Sequence, residues 1–169
     1  MSGQTDNQQG KTGESLKHWF GGFFDGEGTI FVGRSVYRGR WETFSPRIAV
    51  NNTDVAFLPI VEAALHAFDL PYHIQWSDHR RSPKHAPRWM VVIAGWKRCF
   101  RASQALVDYL HGAKRSQCQD MIELCHLRLQ QTGAVSGAHN PYTDRQLLLI
   151  RNLRGRHTHW NPDPSSTTR

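Results

Sequence analysis

WFGGFFDGEGTIFV, residues 19–32, places two adjacent glycines and two carboxylates inside one of the most apolar stretches of an otherwise polar chain. Leu16, Trp19, Phe20, Phe23 and Phe24 recur at i, i+3, i+4, i+7 and i+8, the stripe of an amphipathic helix that starts near Ser15 and ends around Gly26 to Gly28. A glycine inside a helix costs about 1 kcal/mol against alanine, so Gly21 and Gly22 together cost about 2 kcal/mol. Close approach of another backbone offsets such a cost. The strip His18, Gly21, Gly22 and Asp25, beside the aromatic face, therefore predicts a second helix packed there. Asp25 and Glu27 then stand at the helix end, where the dipole disfavours negative charge, with glycines freeing the backbone between them. That arrangement invites a divalent cation.

Outward from this stretch the pattern alternates. Ile30 and Val32, then Ile48 and Val50, follow period two, so residues 29–51 read as a hairpin around the polar YRGRWE turn. Thr53 or Asp54 caps a helix through Phe57, Ile60, Val61, Ala64, Leu65 and Phe68, with Pro59 early in it. Strands at 72–77 and 88–94 follow, around the basic loop DHRRSPKHAP, and then a helix carrying Phe100, Leu106, Val107 and Leu110. Helical stretches at 115–130 and 142–153 complete a domain spanning 15–153, the second opened by Asn140 and Pro141. Residues 1–14 read as a polar, disordered leader and 154–169 as a basic, flexible tail. The order is αββαββα plus C-terminal helices, an α+β fold.

Composition narrows the function classes. The chain has 169 residues, enough for one domain with a real core, and 21 Lys and Arg against 14 Asp and Glu give a formal charge of +7. That balance favours a polyanionic partner. Cys99, Cys118 and Cys125 form no CxxC pair, which suits a reducing compartment rather than a disulfide framework. Cys125 with His139, His157 and His159 lacks zinc-site spacing, and DGEG lacks the later ligands of an EF-hand. No apolar run is long enough to span a bilayer, and the first residues lack the apolar centre of a signal peptide, so the expectation is a soluble intracellular protein with no membrane partner.

FGGFFDGEG, residues 20–28, closely resembles the signature of the LAGLIDADG homing endonucleases. Phe20, Phe23 and Phe24 stand at its large apolar positions, Gly21 at its small alanine position, Gly22 and Gly28 at its glycines, and Asp25 and Glu27 at its acidic ones. Glu27 departs from the consensus aspartate but keeps the carboxylate. The element order over roughly residues 15–131 is similar to this family's core fold, with its saddle-shaped antiparallel sheet. IAVNNTD, 48–54, resembles the end of its second strand. KRSQCQ, 114–119, resembles the segment holding a basic residue near the active centre, which makes Lys114 the candidate. One signature helix is present, as in the single-motif, homodimeric branch.

The resemblance implies an intron-encoded, site-specific DNA endonuclease that hydrolyses phosphodiesters with Mg²⁺ or Mn²⁺ at a long pseudo-palindrome. Glu27 and Gly26 are then the metal-site residues, Lys114 stabilises charge or helps organise the water network, Asn52 holds a water, and His18, Gly21, Gly22 and Asp25 form the contact with a second copy. Strand parity puts Gly33, Ser35, Tyr37, Arg47, Gln75, Ser77, Arg88 and Met90 on the outward, DNA-reading face. Arg34, Arg38, Arg40, Arg80, Arg81 and Lys84, near the hairpin loops, are phosphate-contact candidates. The alternative class is a non-cleaving nucleic-acid-binding protein on the same scaffold, an intron RNA maturase or a DNA-binding regulator.

Overall fold

A computed structural model describes residues 5–37, 41–77, 87–132 and 140–155. Helix α1, Thr5–Glu27, leads directly into strand β1, Gly28–Tyr37, which pairs with β2, Trp41–Asn52. Helix α2, Leu58–Ala67, strands β3, His73–Ser77, and β4, Arg88–Ala94, and helices α3, Trp96–Leu106, α4, Gly112–Thr132, and α5, Asp144–Gly155, follow. The four strands form one antiparallel sheet in the order β1-β2-β4-β3.

Parity organises everything else. Ile30 and Val32 of β1, Ile48 and Val50 of β2, and Trp89, Val91 and Ile93 of β4 are buried under the helices, with Ile74 half-buried on edge strand β3. Phe20 and Phe24 of α1, Val61 and Leu65 of α2, Leu106 of α3, Met121 and Leu124 of α4, and Leu149 and Leu153 of α5 complete this core. All helices therefore cover one face and leave the other open, as an alternating antiparallel sheet permits.

Several boundaries differ from the sequence expectation, each for a local reason. α1 extends back to Thr5, ten residues before the expected start at Ser15; Glu14 on this extension accepts from the Tyr109 hydroxyl at 2.8 Å and lies 3.5 Å from both Lys17 and His18. The helix predicted after β2 begins as a short 3₁₀ turn, Val55–Phe57, because the Asp54 side chain accepts from the Ala56 amide at 2.9 Å. Asp54, not Thr53, is the cap. α5 starts at Asp144 through a capping box: the Gln146 amide donates to Thr143 Oγ1, and the Thr143 amide donates to Gln146 Oε1. The connection into α3 turns at Gly95, whose φ of 98° favours glycine.

Candidate active site

The helix-to-strand junction at Glu27–Gly28 is the centre of the site. Gly28 is buried, and a Cβ there would fall 2.4 Å from the Phe24 ring and 2.5 Å from its carbonyl oxygen, so only glycine permits so abrupt a turn. The turn leaves Glu27 exposed at the sheet margin, one residue before the Gly28–Val50 pair and so level with Asn51. Among the described residues its carboxylate has no hydrogen-bond or ion-pair partner. It stands beside the C-terminal carbonyls of α1, in a last turn that carries no basic residue.

Lys114, on the first turn of α4, reaches across and donates from Nζ to the Gly28 carbonyl. Burial lowers its pKa from the ordinary lysine value, while the nearby Asp25 charge acts in the opposite direction. Two residues 86 positions apart thus meet beside Glu27. Asn52 lies at the end of β2, half-buried, its Oδ1 accepting from the Asp54 amide at 2.9 Å. Its side-chain oxygen serves the chain turn.

The four residues expected to face a second copy divide into two pairs. Gly21 is buried against its own chain: a Cβ there would lie 2.3 Å from the Tyr109 carbonyl oxygen and 2.8 Å from Tyr109 Cβ. The close backbone approach predicted from the glycines exists, but at Gly21 it is intramolecular. Asp25 likewise serves its own chain, accepting from the His111 amide at 3.2 Å and meeting His111 Nδ1 at 3.1 Å. It stands just ahead of the N-terminus of α4, where negative charge is favoured. Gly22 is exposed, and a Cβ added there would meet nothing within 4 Å; His18, edge-on to Tyr109 at 5.0 Å, is exposed too.

The register aligns Gly33, Ser35, Arg47, Gln75, Arg88 and Met90 on the open face, with Gln75 opposite Met90 and Ser77 opposite Arg88. Tyr37 and Ser77 occupy outward strand positions, but their side chains, and all of Arg38, Arg40, Arg80, Arg81 and Lys84, lie outside the described residues. The same parity adds residues that the sequence expectation omits: Thr29, Phe31, Thr43, Ser45, Asn51 and His73, the last 2.9 Å from Gln75 through Nε2 atoms. Extending the period-two count along each whole strand finds them. The pairing of Asp25 with His111 has no signal in the sequence. Arg34, a phosphate-contact candidate near the hairpin loop, stands on the opposite, helix-side face, in register with Phe44 and paired with Glu42.

The element order and the open four-stranded sheet are also found in solved structures. The homing endonuclease I-CvuI, in complex with its target in the presence of calcium, superposes with a TM-score of 0.62 over 90% of this chain and 87% of its own, at 15% identity. The chain has the LAGLIDADG homing-endonuclease fold. The archaeal intron-encoded homing endonuclease I-Vdi141I, complexed with DNA, shares this fold at a TM-score of 0.64 and 14% identity, over 88% of this chain and 87% of that one. The meganuclease I-SmaMI, bound to DNA, matches 86% of this chain with 45% of its own, at a TM-score of 0.61 and 14% identity. No family model and no curated protein matches the sequence.

Proposed function

We propose that the chain is a homodimeric, divalent-metal-dependent endonuclease that cuts both strands of DNA at a long pseudo-palindromic site. The observation that carries this reading is the exposed carboxylate of Glu27, without a protein partner among the described residues, at the margin of an open sheet and one residue before the Gly28 carbonyl that Lys114 Nζ holds. A stable fold gains nothing from an acid at a helix C-terminus.

The donors fit a hard cation. Glu27 and the Gly26 carbonyl supply oxygen ligands, and Mg²⁺ is commonly held by one or two carboxylates together with substrate phosphates. Such a cation, when bound, supplies an activated water and stabilises charge on the phosphate and leaving oxygen. Lys114 contributes positive charge beside the reacting phosphate, and Asn52, whose side-chain oxygen holds the Asp54 amide, keeps its amide nitrogen for a water. Arg47, Gln75 and Arg88 read base edges from the open face, where bidentate contacts discriminate by about 1–3 kcal/mol each. I-CvuI and I-Vdi141I were solved with DNA, and I-CvuI in calcium, which supports duplex DNA and a divalent cation for this chain as well. This chain matches under half of I-SmaMI, which supports assembly from two copies. His18 and Gly22 form the centre of that contact.

Purified protein incubated with Mg²⁺ and a randomised duplex library, followed by sequencing of the cut ends, tests the proposal. Wild type should yield paired cuts at one sequence class, and Glu27→Gln should bind the same duplex without cutting. Binding without cutting by wild type would move the chain to the non-cleaving class.

A further inference from the structure

Behind the open face, on the helix side of the sheet, a groove of about 400 Å³ runs between the β1–β2 hairpin and α5. Its floor is apolar, formed by Phe44, Leu147 and Ile150; its rim carries Arg34, Arg151 and Arg154 with Glu42. The floor is braced from below. Phe44 meets the Tyr142 ring edge-on at 5.0 Å, the Phe44 amide donates to the Tyr142 hydroxyl at 3.2 Å, and the Arg128 guanidinium lies 4.0 Å over that ring. Arg154 lies 5.9 Å from the Phe44 ring centroid.

Charge distinguishes this groove from an ordinary surface fold. Three guanidinium groups share the rim with one carboxylate, and Arg34 pairs with it. Burial holds Arg154 below the usual arginine range and the neighbouring Arg34 charge adds to this, against Glu42. Crowded cations beside an exposed leucine, Leu147 at 41%, are a poor arrangement for water alone. An anion with a flat apolar body satisfies both halves: a planar base lies on the floor and its phosphate meets the arginine fork.

We propose that this groove binds one nucleoside phosphate unit, base against Phe44 and Leu147 and phosphate on Arg151 and Arg154. The sheet separates it from the outward face, and a duplex keeps its bases stacked, so the unit comes from a single strand or a free nucleotide. The inference does not depend on the endonuclease reading.

Fluorescence anisotropy with labelled oligouridylate, labelled oligothymidylate and a labelled duplex, plus competition by uridine monophosphate, tests it on Arg151→Ala and Leu147→Glu. Both side chains are exposed, so both variants should melt with wild type. Each should weaken single-strand binding by about tenfold while changing duplex binding less than about twofold. Loss on oligouridylate alone names RNA as the source, loss on both strands names any single strand, and equal competition by the mononucleotide names the free nucleotide. Unchanged single-strand binding in both variants, or an equal loss on the duplex, overturns the proposal. Glu27→Gln should keep single-strand binding intact, which separates failure of this site from failure of the endonuclease reading.

Discussion

Replacing Gly21 with Ala puts a methyl group where the chain has no room. Its Cβ would lie 2.3 Å from the Tyr109 carbonyl oxygen and 2.8 Å from Tyr109 Cβ, so backbone on one side must move. Overpacking of this kind costs about 1–3 kcal/mol. A clash with backbone rather than with a flexible side-chain tip belongs near the upper end. Helix propensity returns up to about 1 kcal/mol, because alanine replaces glycine inside α1. The expected net loss is about 2 kcal/mol, or a fall in Tm of roughly 4–8 °C for a domain of this size. Gly26 is the internal control: it is exposed, has nothing within 4 Å of the added Cβ, and lies in the same helix. Gly26→Ala should leave stability unchanged or raise it by up to about 1 kcal/mol. Urea unfolding at several protein concentrations measures both and separates folding from association. A stabilised Gly21→Ala, or equal effects at the two positions, would refute the argument that Gly21 is needed for contact with Tyr109.

Burial pushes the Cys99 and Cys118 thiols up to about 12, and Cys125 higher still. Above their ordinary value of 9.0 the unfolded chain loses protons that the native one keeps, so stability falls as pH rises; one unit above it the three thiols together cost about 4 kcal/mol. Urea titrations at about pH 8 and about pH 10 should show this, with the drop reduced by about a third in Cys118→Ala; an equal drop in that variant would count against it. Gln75→Ala or Arg88→Ala should relax preference at a few base pairs, by about 1–3 kcal/mol, in a selection from randomised duplexes, whereas uniform weakening across sequences would make them phosphate contacts. Gly22→Leu should yield a folded monomer by sedimentation that no longer makes double-strand cuts; a stable dimer would place the contact elsewhere.

What the sequence discloses follows from periodicity. The 3.6-residue stripe of Leu16 to Phe24 and the period-two runs at Ile30, Ile48 and Trp89 are local signals of which face is buried, and the sheet bears them out. Strand parity carries the open face by the same logic and also places Arg34 on the helix-side face, a position that its nearness to the hairpin loop alone does not disclose. Helix boundaries are less legible, since they depend on single side-chain contacts: Asp54 on the Ala56 amide, and Thr143 with Gln146. The two glycines look alike in the sequence yet have different neighbours. Which one meets the same chain depends on the placement of Tyr109, and that is set by the packing of residues far apart in sequence. The convergence of Lys114 on Gly28 is legible only through the resemblance.

The central claim is that each of two copies brings one Glu27 to one strand of the duplex. Mixed dimers test it most directly: differently tagged wild-type and Glu27→Gln chains are co-expressed, the heterodimer is purified, and its products on the selected target are resolved on denaturing and native gels. The account predicts nicked duplex, with one strand cut and the other intact. Double-strand cutting by the heterodimer, at the rate of wild type, would contradict it.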